Sequence, residues 1–92
     1  RQDAARALAG EVDAFYIIGG NHSSNSRKLL AVCKEQCEKS FLIETEDEIK
    51  AEDLKGAEKV GVTAGASTPD WLIRKVVEKL EEIGKSNEIV LN

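Results

Sequence analysis

Two stretches of the sequence are rich in the small polar residues that bind anions. The first is Gly19-Gly20-Asn21-His22-Ser23-Ser24-Asn25-Ser26, and the second is Thr63-Ala64-Gly65-Ala66-Ser67-Thr68. Neither stretch contains a carboxylate or a bulky apolar side chain. Their glycines allow backbone N–H groups to come close to a ligand, and their hydroxyl and amide groups add neutral donors. These features favour an anion as the ligand, and a phosphate group above all.

The same residue types also serve an ordinary structural purpose. Ser, Asn and Gly are common in strand-to-helix turns, where they cap helices and form tight turns. A single loop of this kind therefore favours the structural interpretation. With two such loops on neighbouring strands, the structural and the anion-binding interpretations are equally favoured. The residue chemistry alone leaves both open.

The two loops follow the first and third predicted strands. Ala14–Ile18 is a continuous apolar run, typical of a strand that is covered on both faces. The other predicted strands are residues 41–43, 60–63 and 89–91. Because helical patterns alternate with these strands, the sequence predicts an α/β fold, a small open parallel sheet of about four strands flanked by helices. In such sheets, ligands bind beyond the carboxyl ends of the strands, where both loops lie.

Helical segments are predicted before the first strand and between the others. The first ends at Gly10, and the second follows the first loop. Thr45 and Glu48 have the spacing of a capping box, which starts a short helix. The last helix has the strongest start, with Thr68 as its hydroxyl cap and Pro69 in its first turn. The residues of this helix predicted to face inward are Trp71, Leu72, Val76, Leu80 and Ile83.

Composition excludes several classes of protein. The chain has 92 residues, which we interpret as a single domain over 1–92. Its net charge of −4 argues against nucleic acid or an anionic membrane as the main partner. Its longest apolar run is too short for a membrane span or a secretory signal. The sequence has no Met and opens directly on a helical pattern, so we expect a piece of a longer polypeptide.

The two loops together resemble a known family. Gly19-Gly20-x-x-Ser23-Ser24-Asn25-Ser26, followed by Val60-Gly61-Val62-Thr63-Ala64-Gly65-Ala66-Ser67-Thr68-Pro69, resembles the third domain of the LytB/IspH family. Members of that family are 4-hydroxy-3-methylbut-2-enyl diphosphate reductases of the methylerythritol phosphate route to isoprenoids. Arg1-Gln2 is similar to the end of the family's Cys-x-A-T-x-x-R-Q stretch. The resemblance covers nearly the whole chain and implies the C-terminal lobe of a three-lobed enzyme.

Residues at matching motif positions correspond to the substrate-binding residues of the family. The resemblance implies that the diphosphate of the substrate or product is bound by Ser23, Ser24, Asn25 and Ser67. Thr63 and Thr68 are expected to shape the second loop rather than to contact the ligand. Asn21-His22 departs from the family's usual residues, and a lone loop histidine such as His22 is more often solvated than functional.

The resemblance also implies a redox reaction, whose cofactor ligands and catalytic residues match no position of this chain. The family reductively dehydroxylates its substrate at a [4Fe–4S] cluster, yielding isopentenyl and dimethylallyl diphosphate. The family's cluster cysteines, histidines and proton-relaying glutamate match no position of this chain. We therefore expect no catalytic residue, metal ligand, cluster or activity here. The implied partners of the intact cytoplasmic enzyme are the N-terminal lobes and an external electron donor such as ferredoxin or flavodoxin.

Cys33 and Cys37 have two interpretations. Their i, i+4 spacing on a helix could bind a metal, but they share an apolar stripe with Leu29 and Leu30, where a free cysteine acts as a small hydrophobic residue. We favour packing, and we expect Cys37 to be partly exposed near the helix end. Two thiols are too few for a disulfide framework and fit a reducing cytoplasm.

Other side chains and other functions stay open at this point. Arg27 and Lys28 either reach the phosphates or, as we favour, project into solvent. Trp71 either packs within the chain, as we favour, or faces another domain.

Two alternative functions are a stand-alone phosphate-binding module without cluster chemistry and an interaction domain whose loops only cap helices. A receiver-like module needs an acidic pocket at its strand ends. This chain has Gly19-Gly20 and Ala64-Gly65 there, which argues against that kind of module.

Overall fold

The computed structural model describes residues 2–20, 22–65, 67–84 and 88–91. Within them, helices α1, α2 and α3 alternate with strands β1 to β4, and two 3-10 turns connect β2 to β3. In chain order, the elements are α1 (Gln2–Ala9), β1 (Ala14–Ile18), α2 (Ser24–Gln36), β2 (Ser40–Ile43), the turns Glu46–Glu48 and Ala51–Leu54, β3 (Lys59–Ala64), α3 (Asp70–Ile83) and β4 (Glu88–Leu91). None of the helices in the described ranges is long and apolar enough to cross a membrane.

The four strands form one parallel sheet in the order β2-β1-β3-β4. β1 lies between β2 and β3, and its last residue, Ile18, pairs with Ile43 on one side and Ala64 on the other. Because β1 and β3 are parallel neighbours, the loops that follow them leave the same end of the sheet side by side. The predicted α/β fold with a small open parallel sheet is confirmed.

Helices cover both faces of the sheet. Alternate residues of β1 point to opposite faces: Tyr16 and Ile18 pack with α3 and the 3-10 turns, whereas Phe15 and Ile17 pack with α1 and α2. Every residue of β1 is buried. The prediction of a strand covered on both faces is therefore confirmed, and this rigid central strand positions the loop that follows it.

The start of α3 differs from the sequence prediction. Pro69, not Thr68, is the N-cap residue, and no side chain caps the helix. The hydroxyl of Thr68 donates instead to the carbonyl oxygen of Ile18. The predicted hydroxyl cap was wrong because α3 begins one residue later, with Pro69 at its N-cap position, and the Thr68 side chain is directed instead toward a tertiary acceptor at the end of β1.

Trp71 is also placed differently from the prediction. Val76 and Leu80 are buried, and Leu72 and Ile83 are partly buried against the same core, but Trp71 is 60% exposed. Successive helix residues are rotated by about 100°, so Trp71 lies beside the inward face that Leu72 begins. The prediction that Trp71 packs within the chain was wrong.

The amino end of the sheet is held by one carboxylate. Asp13, just before β1, accepts hydrogen bonds from the backbone N–H groups of Glu58 (2.9 Å) and Lys59 (3.0 Å) at the start of β3. These bonds favour the charged form and lower the pKa of Asp13 below its ordinary value. Asp13 thus joins the two central strands at the end opposite to the polar loops.

Candidate anion-binding site

A cavity of about 740 Å³ opens where β1 and β3 end. The first loop contributes Ser23, Asn25 and Ser26 to its wall, and the second contributes Gly65, Ser67 and Thr68. Ile17 and Ile18 of β1 and Leu29 of α2 add apolar surface. Two loops that are far apart in the sequence therefore face each other across one cavity.

Three of the four residues predicted to bind diphosphate line this cavity. They are Ser23, Asn25 and Ser67. Ser24 is the first residue of α2, is exposed, and is not among the described lining residues. The structure thus brings both loops together as predicted, while the binding of a ligand by the four residues stays a prediction. Asn21 and Ala66 of the loops, and Arg1, lie outside the described residues.

The first loop is built around the start of α2. Ser23 is the N-cap residue, and its hydroxyl oxygen accepts a hydrogen bond from the N–H of Ser26 at 3.2 Å. The hydroxyl proton of Ser23 is not used in this bond and can be donated to a ligand. The helix N-terminus carries partial positive charge, so α2 adds a favourable field for an anion at the cavity. The structural interpretation of Ser23 is correct, and it is compatible with binding.

Close packing within the first loop favours a glycine at position 19. A Cβ atom on Gly19 would lie 2.5 Å from the Ser26 hydroxyl oxygen, whereas one on Gly20 would meet nothing closer than 3.9 Å. Ser26 was not among the predicted site residues, although its side chain lines the cavity. The available signal was its place at the end of the Ser23-Ser24-Asn25-Ser26 run.

The second loop is a tight turn attached to β1. The N–H of Thr68 donates to the carbonyl oxygen of Gly65 at 3.0 Å, which closes the turn. The Ile18 carbonyl oxygen accepts from the Gly65 N–H and from the Thr68 hydroxyl, each at 3.4 Å. Thr68 therefore shapes the second loop, as predicted, and Thr63 is buried beneath it.

The described lining residues include no charged side chain. His22, Arg27 and Lys28 are all exposed, and none of them is part of that lining. The favoured interpretation of Arg27 and Lys28 as solvent-facing side chains agrees with this placement. Any attraction of the cavity for an anion comes from hydroxyls, amides, backbone N–H groups and the helix terminus, which bind anions without a countercharge.

The two cysteines are core residues. Cys33 and Cys37 are buried in the core cluster between α2, α1 and β1, against which Leu29 and Leu30 pack. Burial, with a smaller contribution from Cys37, raises the pKa of the Cys33 thiol to about 11. Packing is therefore the correct interpretation. The expectation of partial exposure for Cys37 was wrong, because this helix C-cap residue turns inward, with its N–H bonded to the Cys33 carbonyl oxygen.

These thiols do not fit an iron–sulfur cluster. Cluster ligation needs accessible thiolates with further ligands nearby, whereas Cys33 is buried and held in its neutral form. In the part of the chain that the structure describes, no group of three or more His, Cys, Asp or Glu side chains could hold a metal ion. The chemistry that this site supports is the binding of an anion by neutral donors.

Comparison with known families identifies the chain. The family model described as LytB protein matches residues 1–81. The chain belongs to the LytB family. This confirms the family resemblance, on a match that includes both loops of the cavity.

Individual LytB relatives carry the same name. The chain is 48% identical over 88 residues to a 4-hydroxy-3-methylbut-2-enyl diphosphate reductase of Caldanaerobacter subterraneus, and 51% identical over 82 residues to one of Geobacter sulfurreducens. These matches cover 96% and 89% of this chain but 31% and 29% of the relatives. The chain thus spans about a third of the length of the curated relatives it matches.

A solved structure supports the LytB fold. It is that of (E)-4-hydroxy-3-methyl-but-2-enyl diphosphate reductase, the terminal enzyme of the non-mevalonate pathway. It superposes with a TM-score of 0.85 at 44% identity, covering 89% of this chain and 29% of that one. The sheet and helices described above are therefore those of one part of a LytB protein.

Proposed function

We propose that this chain binds the diphosphate group of the substrate of a 4-hydroxy-3-methylbut-2-enyl diphosphate reductase. The observation that carries the proposal is the meeting of Ser23 and Asn25 from one loop with Ser67 from the other at one cavity. Membership of the LytB family and the names of its relatives support a diphosphate as the ligand. The donor set, which has hydroxyls and an amide but no carboxylate, supplies the chemistry.

The four predicted residues bind the diphosphate from both loops. The hydroxyls of Ser23 and Ser67 and the amide of Asn25 donate hydrogen bonds to phosphate oxygens from opposite sides of the cavity. Ser24, at the first position of α2, contributes from the helix terminus, where backbone N–H groups have no intrahelical acceptor. Each donor that is lost from such a charged hydrogen-bond set costs about 1–3 kcal/mol of binding.

In the intact reductase, this chain is the C-terminal lobe and holds the substrate by its diphosphate end. The [4Fe–4S] cluster of that enzyme would supply the electrons for removal of the substrate hydroxyl group, and its cysteine ligands match no residue of this chain. The products are isopentenyl and dimethylallyl diphosphate, and an external donor such as ferredoxin or flavodoxin provides the electrons in the cytoplasm. The chain by itself binds and orients but does not catalyse.

Titration with pyrophosphate tests the proposal. Adding millimolar sodium pyrophosphate to the isotope-labelled chain should shift amide resonances in both loops, including those of Ser24, Asn25 and Ser67. Ser67→Ala should lower the affinity about tenfold, and Ser67→Thr, which keeps a hydroxyl, should bind more tightly than the alanine variant. Unmoved resonances in either loop would contradict the proposal and favour loops that only cap helices.

A further inference from the structure

One backbone atom connects the two loops of the cavity. The Ile18 carbonyl oxygen, at the end of β1, is followed directly by Gly19 and the first loop. It accepts the N–H of Gly65, which extends the pairing of β1 with β3 by one step. It also accepts the hydroxyl of Thr68, a contact between residues 50 positions apart that the strand ladder does not require.

Thr68 holds the far end of the second loop. Its N–H closes the turn onto the Gly65 carbonyl oxygen at 3.0 Å, and Ser67 lies inside that turn. The turn is therefore attached to Ile18 at both ends, at Gly65 by a backbone bond and at Thr68 by a side-chain bond. Since α3 begins after Pro69 with no side-chain cap, the Thr68 hydroxyl attaches this end of the turn to β1.

We infer that Thr68 is a positioning residue that sets the spacing of the two loops and thereby favours a diphosphate over a single phosphate. This inference rests on the proposed function. A diphosphate must contact both loops at once, so its affinity depends on how well Ser67 is held relative to Ser23 and Asn25. A single phosphate needs one loop only, and its affinity depends little on that spacing. Groups held in place before binding lose less entropy when the ligand arrives.

Two other roles for Thr68 make different predictions. Thr68 lines the cavity, so its hydroxyl could donate to the ligand directly. Direct donation would make both phosphate and pyrophosphate weaker ligands when the hydroxyl is removed. A purely structural role would lower the free energy of unfolding and leave both affinities unchanged.

The test uses Thr68→Val, which keeps the shape of the side chain without its hydroxyl, and Thr68→Ser, which keeps the hydroxyl. Each variant and the wild-type chain are titrated with pyrophosphate and with inorganic phosphate. Thr68→Val should bind pyrophosphate about fivefold more weakly, the equivalent of one hydrogen bond of about 1 kcal/mol, and inorganic phosphate within about twofold of wild type. Thr68→Ser should restore pyrophosphate binding to within about twofold of wild type. Equal loss for both ligands, or no loss for pyrophosphate, would overturn the inference.

Amide hydrogen exchange without ligand separates this inference from the proposed function. The N–H groups of Gly65 and of residue 68, which bond to the Ile18 and Gly65 carbonyl oxygens, should exchange faster in Thr68→Val than in wild type, and Thr68→Ser should match wild type. If exchange is unchanged, Thr68 does not position the turn and the inference is wrong. If exchange changes but the wild-type chain binds no pyrophosphate, the proposed function is wrong, and so is the diphosphate selectivity that we assign to Thr68. The role of Thr68 in positioning the turn would still be supported.

Discussion

The two loops that face each other across the cavity are built in different ways. In the first loop, one hydroxyl has two tasks, because Ser23 caps α2 and also lines the cavity. The second loop contains a residue with only one of these tasks. Thr68 attaches the turn to β1 and also lines the cavity, whereas Ser67 lines the cavity alone. In the described part of the chain, the Ser67 side chain makes no hydrogen bond.

This difference decides what a substitution can reveal. Removing the Ser23 hydroxyl should change binding and stability together, so a loss of binding in that variant does not by itself identify a ligand contact. Removing the hydroxyl of Ser67 leaves the described hydrogen bonds intact and reports on the ligand. For Ser23 the structural interpretation is correct and the anion-binding interpretation is compatible with it, so the second loop is where the two can be separated.

The largest effect is expected for a pair of substitutions at Ser23. Asp is as good an N-cap residue as Ser, so Ser23→Asp should keep the stability of the chain while placing a negative charge in the cavity. Pyrophosphate affinity should fall more than about 100-fold, through loss of a donor and like-charge repulsion. Ser23→Ala should instead lose about 1 kcal/mol of unfolding free energy in urea, together with part of the affinity. Pyrophosphate binding by Ser23→Asp at wild-type strength would exclude Ser23 from the site.

Ser67→Ala should give a smaller and cleaner effect. We expect the pyrophosphate affinity to fall about tenfold, because one donor is lost. Calorimetric titration measures this loss. The free energy of unfolding should change by less than about 0.5 kcal/mol, since no described bond of the fold is removed. A stability loss as large as that of Ser23→Ala would show that the loops do not differ as described.

Glycine substitutions test how tightly each loop is packed. Gly19→Ala brings a Cβ atom to 2.5 Å from the Ser26 hydroxyl oxygen, whereas in Gly65→Ala the nearest atom, the Thr68 hydroxyl oxygen, is 3.9 Å away. Gly19→Ala should therefore cost about 1 kcal/mol of unfolding free energy by forcing Ser26 off its rotamer. Gly65→Ala should be neutral or slightly stabilising. Since the Ser26 hydroxyl causes the clash, adding Ser26→Ala should recover part of the loss, and no recovery would argue against this packing.

Asp13 is a control at the opposite end of the sheet, and its effect should be the smallest. Its pKa is lower in the folded chain than in the unfolded one, so the unfolded state binds more protons in acid. Its stabilisation is therefore complete above the unfolded pKa and is lost as the pH falls through the folded pKa. Acid titrations of wild type and Asp13→Asn should differ in stability at neutral pH and converge in strong acid. Pyrophosphate binding at neutral pH should be the same in both, and a weakened affinity would mean that the site is coupled to the far end of the sheet.

The parts of the fold that local patterns determine could be predicted from the sequence. The unbroken apolar run of β1 specifies a strand buried on both faces. The alternation of strands and helices specifies a parallel sheet, in which the two polar loops leave the same end. The capping box of Thr45 and Glu48 is present, with the Glu48 carboxylate accepting the Thr45 N–H at 3.0 Å.

The features that the sequence could not reveal depend on contacts between distant segments. The Thr68 hydroxyl bonds to Ile18, and the Asp13 carboxylate to the start of β3, across gaps that no local pattern spans. Local capping rules assigned Thr68 to α3, because they do not include an acceptor on a neighbouring strand. The prediction of an inward-facing Trp71 failed because a shift of one residue along a helix rotates the side chain by about 100°, away from the core.

The central claim is that one diphosphate is bound by both loops at once. A crystal structure of the chain with bound pyrophosphate tests it most directly. We predict a single pyrophosphate in the cavity, with the Ser67 hydroxyl donating to it from one side and the Ser23 hydroxyl and Asn25 amide from the other. A pyrophosphate held by one loop alone, or bound elsewhere on the chain, would contradict the account.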